Sequence, residues 1–388
     1  MLSLLLARQG IDVTLLEMHR DLDRDFRGDT LHPGVLEILD QLGLAAEFLE
    51  LPHARMQTLQ FHSPDGNVTV ADLSRLKSPF PFVTMVRQSQ FLEFLVDKAS
   101  QFPNFRLLTG TKVHALREES GSVRGVCART LDGQEVEIEA PLTVATDGRY
   151  STVRRLADMT IQPSAPGIDV LWFRIPRVAD QHGGGFLGPG GYMIVLQRSD
   201  EWQVGYVIVK GSFPQKKAAG VEQLRADILR LAPGLADSVP HLTDWNQIKL
   251  LSVDAGCLKR WHRSGLLLIG DAAHVMSPVG GVGINIAIQD AVTAANLLTG
   301  PLQTGSVQER DLQRVQKRRR WPVRLVQTLQ AFDQKHLIEP ALRTSSPYRL
   351  PLWLRTILRL PGLRDIPSYL LAFGGRRVRI DRHLLGDD

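Results

Sequence analysis

The residues best suited to bind a ligand lie in the segment 270–285, which follows a short apolar strand, 266–269. Gly-Asp-Ala-Ala-His occupies 270–274, and Pro-Val-Gly-Gly-Val-Gly-Ile-Asn at 278–285 opens a helix that runs through Asp290. Small residues let the backbone approach a ligand closely, and the carboxylate of Asp271 can hold a polyol hydroxyl. The free N–H groups at a helix N-terminus favour an anion. The pattern predicts a site for hydroxyl groups and an anion, and the plainer alternative is a Gly-rich turn before a packed helix.

Two further acids follow predicted strands. Asp147 and Gly148 come after the apolar strand 141–145 and lead into Arg-Tyr-Ser-Thr-Val-Arg at 149–154. This arrangement suits a ligand held at the carboxyl edge of an α/β sheet, although Asp-Gly is also a common plain turn. Glu17 ends the strand 11–17, where an acid of a Rossmann unit accepts hydrogen bonds from a nucleotide ribose. A strand-terminal Glu can also be simply solvated.

The Gly-rich turn of a Rossmann unit lies roughly 20 residues before its ribose-binding acid. Counting back from Glu17 places that turn before Met1, and residues 1–9 are typical of a helix that Gly10 ends. We therefore expect the chain to start inside the first helix of the unit. The first strand and the pyrophosphate loop would then be missing, through truncation or a wrongly assigned start.

The predicted elements run from α/β to mainly β and back to α/β. Helices are predicted over 31–44 and 88–99, and an Asp-Gly turn joins the strands 123–130 and 135–138. From about 160 to 255 the texture is β, with strands at 169–175, 191–197 and 202–210 and one helix at 221–231. Helices dominate from Gly283 onward. A β-rich insertion inside a nucleotide-binding domain explains this order better than two sequential domains do.

Composition and charge exclude several classes of protein. No apolar run approaches the roughly 18–20 residues of a membrane-spanning helix, and the apolar start is too short for a signal peptide. Cys127 and Cys257 lie far apart without metal-ligand spacing, which suits a reducing cytoplasm and predicts no metal site. Residues 301–388 hold 17 Lys and Arg against 8 Asp and Glu. This basic segment could contact an anionic membrane or simply be solvated, and we expect no nucleic-acid partner.

Taken together and in order, these stretches resemble the class A FAD-dependent monooxygenases, the group of para-hydroxybenzoate hydroxylase and the ubiquinone-biosynthesis hydroxylases. The resemblance implies an α/β fold, with a Rossmann-like FAD-binding domain, an inserted β-sheet substrate domain and a helical C-terminal segment. It predicts an N-terminally truncated FAD-binding domain at 1–160 and 255–320. The substrate domain would take 161–254, and the basic helical segment would take 321–388.

The same resemblance implies roles for individual residues. Those expected to bind the cofactor are Glu17, Arg27, Arg87, Gln88, Val113, Asp147, Gly148, Gly270, Asp271, Gly283, Ile284 and Asn285. Those expected to flank the flavin ring are His274, Pro278, Gly280, Gly281 and Asn285. The resemblance makes His274 structural rather than an acid–base catalyst. Candidates for the substrate wall in the β-rich region are Trp172, Phe173, Arg174, Tyr192 and Tyr206. At strand spacing such residues are more often sheet core than ligand contacts.

The implied reaction uses NAD(P)H to reduce FAD, after which O₂ adds to the reduced ring and the hydroperoxide hydroxylates an aromatic or polyketide/quinone-type small molecule. The protein would position the cofactor, which does the chemistry. Two alternatives stay open. One is a catalytically impaired, truncated flavoprotein relic, and the other is a flavin halogenase or reductase on the same scaffold. The implied location is cytoplasmic, with possible peripheral membrane contact through the basic C-terminal segment.

Overall fold

The computed structural model describes residues 1–23, 30–63, 66–164, 167–178, 183–188, 190–198, 200–344, 360 and 362–386. Arg27 and the C-terminal stretch 345–359 lie outside the described residues. The helices within the described ranges are α1 (Leu2–Arg8), α2 (Pro33–Gln41), α3 (Ala45–Phe48), α4 (Gln88–Ser100), α5 (Thr152–Leu156), α6 (Phe213–Ala218), α7 (Val221–Leu231), α8 (Gly283–Gln303), α9 (Glu309–Asp333), α10 (Glu339–Arg343) and α11 (Asp365–Phe373).

The strands in the same ranges are β1 (Val13–Leu16), β2 (Thr30–Leu31), β3 (Ala54–Met56), β4 (Thr58–Ser63), β5 (Gly66–Asp72), β6 (Val83–Met85), β7 (Phe105–Leu108), β8 (Thr111–Glu119), β9 (Ser122–Thr130), β10 (Glu135–Glu139), β11 (Thr143–Ala145), β12 (Ile161–Ser164), β13 (Ile168–Pro176), β14 (Gly184–Gly188), β15 (Gly191–Gln197), β16 (Glu201–Val209), β17 (Lys249–Ser252), β18 (Ala255–Leu258), β19 (His262–Arg263), β20 (Leu266–Leu268) and β21 (His274–Val275). The mixed α/β class predicted from the sequence is confirmed.

Two parallel strand pairs position the motifs found in the sequence. β1 pairs with β7, and β11 pairs with β20 through the register Ala145 opposite Leu268. Because parallel strands end at the same edge, the segments that follow β11 and β20 emerge side by side. The Asp-Gly turn at 147–148 and the loop that starts at Gly270 are therefore neighbours. Glu17 follows the end of the other pair, β1–β7.

A seven-stranded sheet with the order β17-β13-β16-β15-β14-β4-β5 forms the second layer of the molecule. Its neighbours pair antiparallel except for β14 and β4. Successive side chains along a strand point to opposite faces, so β13 sends Phe173 to one face and Trp172 to the other. Phe173 and Tyr206 pack with Ile228 of α7. Trp172 packs on the opposite face, in the same cluster as Val279 of the Gly-rich loop.

This alternation separates the substrate-wall candidates. Phe173 and Tyr206 belong to the core beneath α7, which supports the packing explanation for both of them. Trp172 and Tyr192 share a cluster with Val279 and lie on the face towards the Gly-rich loop. Arg174 lies two residues after Trp172 in β13, so it shares this face. The candidates on the side of the loop are therefore Trp172, Arg174 and Tyr192.

The domain division stays a prediction, but its boundary at residue 161 leaves out part of the sheet. β4 and β5, at 58–72, join the sheet through the pairing of β4 with β14, although the sequence assigned them to the FAD-binding domain. Both strands alternate apolar and polar residues, with Leu59 and Phe61 in β4 and Val68 and Val70 in β5. Such a local pattern does not say which sheet a strand joins, and the long-range pairing of β4 with β14 decides it. The helix expected over 31–44 starts at Pro33 and ends at Gln41, because Leu31 pairs in a strand with β6.

The helices α1, α2, α4 and α8 form a common core beside β1 and β7. Leu5 of α1 and Leu36 of α2 pack with Phe91 of α4 and Val292 of α8. Proline is tolerated at the first position of a helix because the N–H group there has no helical partner. Pro33 takes this place in α2. No helix in the described part of the chain is both long enough and apolar enough to cross a membrane.

The turn at Ser264–Gly265 packs between β9 and β11, and it offers a test of how tightly these strands are packed. Gly265 has φ +73°, and an added Cβ would lie 1.9 Å from the carbonyl oxygen of Val123. Gly265→Ala should therefore lower the free energy of unfolding by about 2–5 kcal/mol, from left-handed strain and overpacking together. Gly211→Ala is the matched control, since Gly211 has φ +79° and open space around it. Urea denaturation that finds equal losses for the two variants would contradict this packing.

Candidate functional site

The loop that follows β20 is held in place by a carboxylate of α8. Gly270 turns the chain with φ +60°, and its backbone N–H donates to Asp290 Oδ2 at 3.0 Å. A Cβ at position 270 would come within 3.1 Å of the Ala287 side chain. Glycine is therefore required for both the conformation and the close approach to α8. This contact fixes the start of the segment that carries Asp271.

Asp290 is completely buried and accepts hydrogen bonds from three different elements. Besides Gly270, His274 Nε2 lies 2.5 Å from Oδ2, and Arg319 Nε of α9 donates to Oδ1 at 2.6 Å. Burial by itself would raise the pKa of Asp290, but the charges and hydrogen bonds of His274 and Arg319 lower it to about 2. The group is therefore an ionised carboxylate that joins the loop, α8 and α9.

His274 is a buried member of this network. Its side chain is 1% exposed, and its ring packs against Trp261 at a centroid distance of 4.8 Å. Because Asp290 is ionised, the Nε2–H group of His274 donates to it. An imidazole enclosed in this way lacks the access to solvent or ligand that proton transfer needs. The geometry supports the structural interpretation of His274.

The second motif is tied to the first by Arg154 of α5. Its guanidinium donates to the backbone oxygens of Ala272 at 3.0 Å and Asp271 at 3.4 Å. Asp147 in turn caps the start of α5, accepting hydrogen bonds from the Ser151 hydroxyl and from the Val153 N–H at 3.0 Å. The Asp147 carboxylate therefore shapes the turn whether or not it also contacts a cofactor. Gly148, with φ +79°, completes that turn.

Asn285 clamps the Gly-rich loop to the strand before α2. Its Oδ1 accepts from the His32 N–H at 2.8 Å, and its Nδ2 donates to the backbone oxygens of Thr30 at 3.0 Å and Gly281 at 3.1 Å. These three bonds occupy the side-chain amide. Asn285 is thus a positioning residue for the loop, beside any backbone contact that it makes to a ring.

Gln330 of α9 holds the same loop from the other side. Its Nε2 donates to the backbone oxygens of Ser277 at 2.8 Å and Val279 at 2.7 Å. Pro278 lies between these two anchored carbonyls, and Gly280 and Gly281 follow with φ +78° and +62°. The loop that would flank the flavin ring is therefore fastened at both ends by side chains of the protein itself.

The remaining predicted residues lie at several places in the fold. Glu17 is half-buried after β1 and accepts from the His19 N–H at 2.8 Å. Arg87 precedes α4 and, with Arg174 and Arg198, lines a cleft of about 230 Å³. Three other predicted cofactor-binding residues lie elsewhere. Gln88 takes the first position of α4, Val113 is packed in β8, and Ile284 packs against the helical core. Their cofactor contacts stay predictions.

The sequence reasoning missed Arg319 and Gln330. Arg319 stands in a run of four basic residues at 317–320 and was counted with a solvated or membrane-facing segment. A helical signal was available, because 319 continues the series 312, 315, 323 and 326, whose apolar members are buried. An arginine on an apolar helical face needs an internal partner, and Asp290 is that partner.

Comparisons with known proteins agree with this geometry. Residues 1–328 match a family model described as an FAD binding domain. A 6-methylpretetramide 4-monooxygenase from Streptomyces rimosus is 34% identical over 98% of this chain and 90% of its own length. This chain belongs to the class A FAD-dependent monooxygenases.

Two further comparisons extend the result for this monooxygenase. An uncharacterized aromatic compound monooxygenase of Bacillus subtilis, YhjG, is 26% identical over 75% of this chain, which spans 57% of that relative. The structure of the anhydrotetracycline hydroxylase OxyS from Streptomyces rimosus has the same fold, with a TM-score of 0.75 and 23% identity. That match covers 96% of this chain and 72% of OxyS.

The residues around the loop fit the ring half of FAD. α8 begins at Gly283 and offers the unpaired N–H groups of its first turn. A Cβ at Gly283 would have Met276 as its nearest contact among the described residues, at 4.0 Å, so the first residue of α8 is not crowded by side chains. Asp271 is half-buried, and its carboxylate suits the ribityl hydroxyl groups.

Arg319→Met should test the Asp290 network. Removing the guanidinium leaves a buried carboxylate without its counter-charge, so we expect the free energy of unfolding to fall by about 3–5 kcal/mol. Arg318→Met is the matched control, since Arg318 is an exposed neighbour on α9 and should change stability by less than about 0.5 kcal/mol. Chemical denaturation measures both variants. Similar values for the two arginines would contradict the network.

His32 gives a prediction about pH. Burial lowers its pKa from 6.5 to about 4, although the bond between Nδ1 and the Leu371 oxygen, at 2.6 Å, acts against this. Between pH 6.5 and 4 the unfolded chain binds a proton at His32 that the folded chain does not. The free energy of unfolding should therefore decrease as the pH is lowered from 6.5 to 4, by about 1.4 kcal/mol per pH unit from this group. His32→Asn keeps a donor for Leu371 and should remove that part of the slope, as denaturation at several pH values would measure. An unchanged slope would contradict the assignment.

Proposed function

We propose that this monooxygenase uses FAD, NAD(P)H and O₂ to hydroxylate an aromatic or polyketide/quinone-type small molecule. The observation that carries the proposal is the loop 270–285, which Asp290, Asn285 and Gln330 hold open beside an apolar sheet face. The similarity to the 6-methylpretetramide 4-monooxygenase of Streptomyces rimosus supports the substrate class.

In this proposal the protein binds and orients, and bound FAD supplies the electron transfer from the reductant to oxygen. Asp271 would hold the ribityl hydroxyl groups, and the first turn of α8 would place its N–H groups against the ring. Glu17 would hold the adenosine ribose, and Arg87 would lie near the phosphates. The hydrogen bonds of Arg154 to the backbone of Asp271 and Ala272 would keep the ribityl site in register.

The substrate would lie between the sheet and the loop. On the sheet face that packs with Val279, Trp172 keeps part of its surface exposed. Val170, Tyr192 and Val207 are buried against Leu337, Ile338 and Ala341 and give the wall an apolar backing. Such a wall excludes water and suits a flat aromatic molecule. Tyr192 is buried, and burial together with the nearby charge of Asp333 raises the pKa of its hydroxyl. It therefore remains a neutral phenol at any physiological pH.

The reductant and the location are finer proposals. NAD(P)H is proposed because the class A family uses it. A cytoplasmic location rests on the cysteine content, and peripheral membrane contact rests on the basic C-terminal segment 321–388. Residues 345–359 of that segment lie outside the described part of the chain, so membrane contact stays a prediction from charge alone.

The cofactor site can be tested by Asp271→Ala. Loss of hydrogen bonds to a charged acceptor should weaken FAD binding by roughly 10- to 150-fold, as measured by quenching of FAD fluorescence. Asp237→Ala removes an exposed carboxylate and should leave the affinity unchanged. A purified wild-type chain without flavin absorbance and without affinity for added FAD would support the relic alternative instead. Equal affinities for both variants and the wild type would contradict the role of Asp271.

The reaction type can be tested on the FAD-loaded wild-type protein. Addition of 6-methylpretetramide should accelerate NADH or NADPH oxidation and O₂ consumption, and the product should gain one oxygen atom from O₂. Bromide and chloride in the same assay should give no halogenated product. Halogenation, or NAD(P)H oxidation with reduction of the organic substrate and no O₂ uptake, would favour the alternative activities.

A further inference from the structure

Trp172 has an unusual position on the sheet. In β13 it pairs opposite Gly205 of β16, and its indole lies across that glycine. A Cβ at position 205 would come within 2.9 Å of Trp172 Cη2 and 3.0 Å of Ile194 Cγ2. The absence of a side chain at Gly205 therefore lets the ring lie down along the sheet instead of standing away from it. A flat aromatic surface results on the face towards the loop 270–285, which we call the flavin loop.

The ring also joins the two apolar clusters that border the flavin loop. One of them contains Tyr192 and Val279. The other contains Ile194 and Leu371, and Leu371 lies beside Gly280, where an added Cβ would contact it at 3.8 Å. Trp172 packs against both clusters and keeps part of its surface exposed. It therefore lies at the junction between the substrate sheet and the loop expected to flank the ring of FAD.

The indole Nε1–H of Trp172 is buried and has no hydrogen-bond partner among the described residues. A buried N–H group without a partner is destabilising, and folded proteins rarely leave one unexplained. Trp261 shows the usual outcome, because its Nε1–H donates to the Leu258 oxygen at 3.2 Å. Trp245 also has a buried, unpartnered Nε1 within the described residues. It packs with the α7 cluster on the other face of the sheet, against Phe213.

We propose that Trp172 is a substrate-binding residue whose indole N–H donates a hydrogen bond to a carbonyl or hydroxyl oxygen of the aromatic substrate. The inference rests on the proposed function and adds a requirement to it. The substrate must carry an oxygen near the edge of its ring system, and that oxygen sets the orientation of the ring relative to the flavin loop. The indole face supplies stacking, and its N–H supplies direction.

The test compares two phenylalanine variants of the FAD-loaded protein. Trp172→Phe removes the proposed donor and keeps an aromatic ring, while Trp245→Phe removes an equally unpartnered N–H on the opposite face. The probes are 6-methylpretetramide and 2-naphthol, and naphthalene serves as the ligand without oxygen. Trp172→Phe should weaken binding of the oxygenated probes by roughly 3- to 10-fold and leave naphthalene binding unchanged. It should also lower the amount of hydroxylated product per NAD(P)H consumed, while Trp245→Phe should behave as wild type.

A second measurement separates a hydrogen bond from a packing effect. In protein labelled with ¹⁵N-tryptophan, the Trp172 indole signal is identified by its loss in Trp172→Phe. It should shift downfield on addition of 2-naphthol and stay in place with naphthalene. Benzothienylalanine at position 172 keeps the shape of the indole without its N–H, and should reproduce the binding loss of Trp172→Phe.

Each other outcome counts against the proposal. An unmoved indole signal, wild-type binding in Trp172→Phe, or equal losses in both phenylalanine variants would overturn it, as would a wild-type protein that binds neither oxygenated probe. Failure of the proposed function looks different, since the wild type would then lack flavin absorbance or O₂ consumption. If flavin absorbance and O₂ consumption are present but the Trp172 indole signal and probe binding do not respond as expected, only the role of this residue would be overturned.

Discussion

Asp290 is a carboxylate without access to solvent, and the arrangement of the site depends on how its charge is satisfied. An unpaired buried charge is strongly destabilising, so the Gly270 N–H, His274 and Arg319 must all approach the two oxygens. These donors come from the loop after β20, from β21 and from α9. Satisfying this one charge therefore sets the relative positions of the flavin loop, α8 and α9. The conformation of the flavin loop thus follows from the need to pair a buried charge.

A second set of constraints comes from side-chain amides and from glycines. Asn285 and Gln330 use their amides to fasten the backbone of the loop, which leaves the N–H groups at the start of α8 free. Gly205 lies outside the flavin loop, and the lack of a side chain there allows Trp172 to lie along the sheet. In the proposed function, the ring half of the cofactor site and the substrate wall would meet across Val279. Rigid walls on both sides suit a reaction in which the protein positions its reactants and the cofactor performs the chemistry.

Local patterns in the sequence were sufficient for the elements with strong periodicity. The strand at 191–197 and the helix at 221–231 have the predicted bounds, and the string at 270–274 indicated the family. Long-range pairings were beyond such patterns. β4 and its partner β5 join a sheet whose other five strands begin only at Ile168, and Arg319 meets Asp290 across 29 residues. The basic run around Arg319 is typical of a solvated surface, so its charge concealed the helical spacing that places it inside.

The central claim is that hydrogen bonds within the protein arrange the flavin loop, and amide hydrogen exchange tests it directly. The Gly270 N–H is bonded to Asp290 and the Ala273 N–H to the Gly270 oxygen. A peptide covering 266–276 should therefore exchange slowly without FAD, and FAD should slow it by only a few-fold more. Free exchange of this peptide until FAD is added would contradict the claim and show that the cofactor orders the loop.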